Sequence, residues 1–82
     1  MRLDKYLKVS RVIKRRTVAN DACDAGRVTV NGKVAKASSE VKAGDVIEVK
    51  FGSATTAFEV LSVKEAVKKE EAGEMYRLIS HN

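Results

Sequence analysis

The chain has 82 residues, enough for one domain with a thin core, since a fold of this size buries only ~60–65% of the surface its unfolded chain exposes. Apolar residues make up 44% and charged residues 33%, there is no Pro, and no apolar run approaches the ~20 residues a bilayer span needs, which leaves a folded domain with a densely charged surface. Net charge is +5 and is unevenly placed: residues 1–36 hold ten Lys or Arg against three acids, residues 37–82 six against eight. A basic half on one small domain favours a polyanionic partner over mere solubility, which would intersperse the signs.

The opening "MRLDKYLK" is mixed in charge, unlike a secretory leader, and cytoplasmic residence is expected. One cysteine agrees with a reducing compartment and excludes an internal disulfide framework. Leu3, Tyr6 and Leu7 recur at helical spacing and predict a short amphipathic helix over residues 2–8, with Arg2, Lys5 and Lys8 on the side away from Leu3 and Leu7. Asp4 falls in the first turn, where the helix dipole favours an acid. It also stands four residues before Lys8, the favourable order for an ion pair. A structural use of Asp4 is therefore expected.

Val9 to Lys14 connect to a second helix at about 15–25, with Val12 and Ile13 as apolar anchors. Val18, Ala19, Ala22 and Cys23 form its apolar stripe, and Gly26 stands where a left-handed C-terminal cap is expected. On a helical wheel Arg16, Thr17 and Asn20 lie together off that stripe. Arg15 is expected at or just before the first turn, with its side chain free.

The period then changes to two. "RVTVNGKVA" reads as a hairpin turning at Asn31-Gly32, and "SSEVKAGD" as a turn-rich connection closing at Gly44-Asp45. "VIEVKF" and "AFEVLSV" read as strands joined around Gly52-Ser53. "KEAVKKEEAG" lacks a good apolar face and reads as an exposed helical turn or a loop. "MYRLI" reads as a final short strand. The expected fold class is α+β: two short helices, then a small, mostly antiparallel sheet. The apolar phasing of the four aromatics, Tyr6, Phe51, Phe58 and Tyr76, places all of them in the core.

Chemistry concentrates in "KVSRVIKRRTVAN", where Lys8, Arg11, Lys14, Arg15 and Arg16 stand without an acid among them. Two short antiparallel helices would bring these cations and those of the first helix onto one surface. Thr17 and Asn20 add neutral hydrogen bonders, and the start of the second helix adds free N–H donors. That combination suits a sugar-phosphate backbone. His81 stands next to the end of the sequence and Cys23 lies on the apolar stripe, so neither a Cys–His pair nor a metal site of ordinary spacing arises.

The stretch "RLDKYLKVSRVIKRRTVANDACDAGRVTVNGKVAKASSEVKAGDVIEV" resembles the S4 RNA-binding domain. The likeness rests on "RLDKYL" opening the first helix, an alanine-bearing second helix ending in Gly26, "GRVTVNG" at the hairpin and the "KAGD" turn. It covers about residues 2–50 and implies the S4 (alpha-L-like) fold, with a domain over 1–63 and a charged extension carrying the final strand over 64–82. Length, the "KRRT" segment and "KKEEAGEMYRLI" resemble the RqcP group of bacterial ribosome-associated quality control, which is related to the heat-shock S4 proteins.

That resemblance implies a non-catalytic monomer without cofactor or membrane. Such a protein binds large ribosomal subunits obstructed by a nascent chain and contacts 23S rRNA and peptidyl-tRNA. A partner of the RqcH type then adds an alanine tail. Arg2 and Arg16 match the arginines of the S4 pattern, with Lys5 and Arg15 beside them at the centre of the expected RNA surface. Lys8, Arg11, Lys14, Thr17 and Asn20 widen it, and Arg27 and Lys33 extend it along the hairpin. S4 domains commonly begin the second helix with Ser-Arg. Here Arg15 replaces the capping residue, giving up ~1 kcal/mol of cap for another positive charge. The alternatives are a general S4 factor for rRNA binding or assembly, and an adaptor that docks a protein through the acidic segment Glu65 to Glu74.

Overall fold

The computed structural model describes residues 1–64 and 68–81. Helix α1 spans Leu3–Val9 and α2 spans Arg16–Asp24, each within a residue or so of the expected bounds. The strands are β1 (Val28–Val30), β2 (Lys33–Val34), β3 (Val46–Phe51), β4 (Ala54–Val60) and β5 (Tyr76–His81). They form one antiparallel sheet in the order β2-β1-β3-β4-β5. The α+β class and the S4-like arrangement of two helices and a sheet are thus present.

Local signals account for most of the turns. Ala25 caps α2 and Gly26 follows at φ +74°. The Gly26 N–H donates to the Cys23 carbonyl (3.0 Å) and the Arg27 N–H to the Ala22 carbonyl (3.0 Å), the paired bonds of a Schellman end. Asn31 (φ 53°) and Gly32 (φ 85°) both sit in the left-handed region that a two-residue hairpin turn requires. Asn31 also pins the hairpin to the next strand. Its Nδ2 donates to Asp45 Oδ1 (3.1 Å), and its Oδ1 accepts from the Val46 N–H (2.9 Å).

One face of the sheet carries the core. Ile47, Val49, Phe58 and Val60 cluster with Leu3, Tyr6 and Leu7 of α1 and with Ala19, Ala22 and Cys23 of α2. Ile13 anchors the connection between the helices, with its N–H donating to the Leu7 carbonyl (3.0 Å). The start of α1 is closed by the segment before β3: the Leu3 and Asp4 N–H groups donate to the Ser39 (2.8 Å) and Ala37 (3.1 Å) carbonyls.

The C-terminal segment joins the same structure. Of the predicted helical turn or loop, residues 65–67 lie outside the described residues. Lys69–Glu74 form a 3-10 helix in which Ala72 is buried. Met75 is fully buried, and its carbonyl accepts the Tyr6 hydroxyl (2.8 Å) and the Leu61 N–H (2.8 Å). β5 then pairs along β4, with Glu59 opposite Arg77 and an ion pair between them (2.8 Å).

Three expectations are corrected. Val18 is exposed, because the helical cover of the sheet meets Ala19, Ala22 and Cys23 and leaves Val18 on the flank of α2. Phe51 shares the face of Ile47 and Val49 but is 43% exposed, because it stands past the end of the core. The strand read as "AFEVLSV" begins earlier, at Ala54, and ends at Val60.

Candidate nucleic-acid interface

Asp4 organises the basic surface. Its side chain is only 3% exposed and accepts hydrogen bonds from four residues. Arg2 Nε approaches Oδ1 (3.2 Å) and Arg16 Nε approaches Oδ2 (3.3 Å). Asn20 Nδ2 donates to Oδ2 (3.4 Å), and the Lys5 backbone N–H donates to Oδ1 (2.8 Å). Burial works to raise the Asp4 pKa and is the largest single influence. The hydrogen bonds from Arg16, Arg2, the Lys5 N–H and Asn20 together outweigh it and hold the carboxyl below its ordinary value of 3.8.

The expected pairing of Asp4 with Lys8 is therefore replaced by pairing with two arginines, one of them on the other helix. The residues that meet are first-turn residues of α1 and α2, so it is the two helix beginnings that are tied together. This use of Asp4 has no local sequence signal, because Arg16 lies twelve residues away.

The arrangement leaves net charge facing solvent. One carboxylate serves two guanidiniums, and Arg2 and Arg16 remain 51% and 48% exposed. Each arginine has five N–H donors and commits two of them to Asp4, so the others point to water or a ligand. A planar guanidinium with a fixed edge and free donors is suited to bidentate phosphate contact.

Around this pair the other predicted residues are distributed unevenly. Lys5 is half-buried on α1, and Lys8 is exposed in its last turn. Arg11 and Lys14 are exposed in the connection, and Arg15 is the residue preceding α2, extended (φ −122°) and exposed as expected. Arg15 makes no side-chain cap. Thr17 is exposed beside Arg16. Lys8, Arg11, Lys14 and Arg15 make no ion pair among the described residues. Arg27 and Lys33 do not join the cluster. Arg27 lines a cleft with Val18 and Phe51, and Lys33 lies on the edge strand β2.

Cys23 is buried, and burial, then Asp4 and Asp24, push its thiol up to about 11, so it behaves as a small apolar side chain. Among the described residues no group of three or more His, Cys, Asp or Glu side chains is placed to hold a metal ion, and no helix is long and apolar enough to cross a membrane.

Two short helices that present a shared arginine pair against an antiparallel sheet define a small RNA-binding module. A family model described as the S4 domain matches residues 1–47. The RQC P-site tRNA stabilizing factor of Halalkalibacterium halodurans is 55% identical over 95% of this chain and 89% of its own length. That of Streptococcus pneumoniae is 54% identical over 98% and 91%. A trimeric structure of Vibrio cholerae heat shock protein 15 superposes with a TM-score of 0.88 at 30% identity, covering 98% of this chain and 82% of that one. The chain belongs to the S4 domain family, and within it to the group of these RQC P-site tRNA stabilizing factors.

Proposed function

We propose that this protein is a non-catalytic, monomeric RNA-binding factor of the cytoplasm. It acts on large ribosomal subunits obstructed by an unreleased nascent chain. Its basic surface contacts 23S rRNA and peptidyl-tRNA and keeps the tRNA in the P site while an RqcH-type partner adds alanines. The observation that carries this reading is the Arg2–Asp4–Arg16 triad, two half-exposed guanidiniums held at fixed spacing by one buried carboxylate. The relatives, named P-site tRNA stabilizing factors, support the choice of RNA.

Without a chemical step, function comes from affinity and geometry. Lys5, Lys8, Arg11, Lys14 and Arg15 supply long-range attraction, and Arg2 and Arg16 supply register. Thr17 and Asn20 stand where they can meet a ribose or a base edge. Touching two RNAs at once raises the effective concentration of the second, so two weak contacts make one selective one. With about four phosphates neutralised on duplex-like RNA, log K against log[salt] slopes by about −3 to −4.

The test is crosslinking and sequencing of bound RNA from cells carrying wild type, Arg2→Ala or Arg16→Ala. Loss of 23S rRNA and tRNA crosslinks from a folded variant is the expected result. Unchanged crosslinks in both variants would remove the triad from the interface.

A further inference from the structure

Phe51 departs from the other aromatics. Tyr6 and Phe58 are fully buried and pack in the core, and Tyr76 makes an edge contact with Phe58 at 5.4 Å between ring centroids. Phe51 instead stands in water at the end of β3, where it lines two open clefts of about 280 Å³ each. That volume lies below the ~300–1,000 Å³ of small-molecule pockets and suits one inserted planar group.

The first cleft runs between α2 and the end of β3, lined by Val18, Asp21, Ala22, Arg27, Lys50 and Phe51. The second lies on the other side and is bordered by Arg11, Thr56 and Leu78. Arg11, Arg27 and Lys50 make no ion pair or side-chain hydrogen bond among the described residues. An exposed apolar ring ringed by unpaired cations complements a ligand with a flat apolar body and an anionic backbone.

We propose that the Phe51 ring is a stacking platform for an unpaired RNA base, with the neighbouring phosphates held by Arg27 and Lys50. This rests on the RNA-binding reading and adds a second contact to it. At 100° per residue, Val18, Asp21, Ala22 and Ala25 occupy the side of α2 opposite Arg16 and Asn20. The platform is therefore separate from the triad, and one chain engages folded RNA with one side of α2 and a splayed nucleotide with the other. Aromatic stacking with cation support is how sheets hold single strands without strong sequence preference. Asp21, the acid of the α2-side cleft, refines this. Its carboxylate accepts from the exocyclic amine of adenine or cytosine, whereas unpaired uracil offers it a single donor, N3–H, flanked by two carbonyl acceptors that it repels.

The experiment measures binding of the full chain to a short oligoadenylate, a short oligouridylate and an RNA duplex. Phe51→Ala, at an exposed site, is expected to lower oligoadenylate affinity about tenfold and leave duplex affinity unchanged. Phe51→Trp is expected to retain oligoadenylate binding, with the introduced indole quenched when the oligonucleotide binds. Arg27→Gln with Lys50→Gln should flatten the salt slope on oligoadenylate by about 1.4. Oligouridylate should bind more weakly than oligoadenylate.

Unchanged oligoadenylate affinity in Phe51→Ala, or no quenching in Phe51→Trp, overturns the platform. The same holds if Phe51→Ala instead dissolves a self-associated species of the RNA-free protein, which would make this face a protein interface. Arg16→Ala separates the two readings. If it weakens duplex binding while Phe51→Ala changes nothing, the triad stands and the platform falls. If only Phe51→Ala matters, the reverse holds.

Discussion

Arg16 reaches back across twelve residues to Asp4, Nε to Oδ2 at 3.3 Å, and joins the first turns of the two helices through a single buried carboxylate. Arg2 takes the other oxygen. The acid is therefore part of the basic surface, and its removal separates two effects that usually run together. Counting charge alone, Asp4→Asn makes the surface more positive and should tighten RNA binding. If Asp4 acts by holding the guanidiniums in register, binding weakens. We expect weaker binding with an unchanged salt slope, because every cation remains, and a loss of about 1–3 kcal/mol of stability from the orphaned donors, reduced by the exposure of both arginines. Paired denaturation and RNA titrations of wild type and Asp4→Asn check both.

The same carboxylate gives a pH signature. Its folded pKa lies below the ordinary value, so the unfolded chain takes up the proton first as pH falls. The stability it contributes is present above an unfolded value of about 3.9 and is lost as pH falls through the lower folded one. Denaturation midpoints of wild type should therefore fall below about pH 4 more steeply than those of Asp4→Asn.

How much of this was legible depends on the range of each signal. Gly26 and Asn31-Gly32 carry their conformations in one or two residues, and both elements stand where the sequence put them. The basic cluster was visible as a count, and the protrusion of Arg15 followed from its place before the helix. The partner of Asp4 was not visible, since Lys8 is a local candidate and Arg16 is positioned only by the packing of α2 on α1. Phe51 shows the limit of periodicity. Alternation places it on the same face as Ile47 and Val49, but nothing in the strand marks where the helical cover stops.

Tyr6 ties α1 to the C-terminal segment. Its hydroxyl donates to the Met75 carbonyl at 2.8 Å, and burial, then the nearby Tyr76, raises its pKa far above the usual phenol value. Tyr6→Phe keeps the ring and deletes the donor. Met75 retains the Leu61 N–H, so the expected loss is about 1 kcal/mol rather than that of a fully orphaned carbonyl. Thermal melts of the variant check this. Ending the chain after Val63 removes the buried Met75 and the strand paired with β4, and should cost far more.

Arg11 follows the end of α1 at φ +64°, a left-handed conformation that a non-glycine residue adopts at a cost. Arg11→Gly removes that cost of ~1–2 kcal/mol and adds the ~0.5–1 kcal/mol entropy of glycine in the unfolded chain, for a net gain of ~0–1.5 kcal/mol. A more stable protein with weaker RNA binding and a salt slope shallower by about one would mean that a stiff, strained arginine is kept for its charge. A stability gain with unchanged RNA affinity would assign Arg11 no part in binding.

Thr29 in β1 holds a side-chain oxygen, Oγ1, that is buried without a hydrogen-bond partner among the described residues. A buried hydroxyl without a protein partner gives up solvation that no internal hydrogen bond returns. Valine has the same shape and no such group. Thr29→Val is therefore expected to raise stability by about 1 kcal/mol, the desolvation cost of one hydroxyl. Thr29 pairs with Val34 on one side and Glu48 on the other, away from the Asp4 carboxylate, so RNA affinity should not move. Chemical denaturation supplies the first measurement and duplex titration the second. A destabilised Thr29→Val would show that the hydroxyl has a partner in solution, a bound water being the simplest one with the two or more polar neighbours it needs.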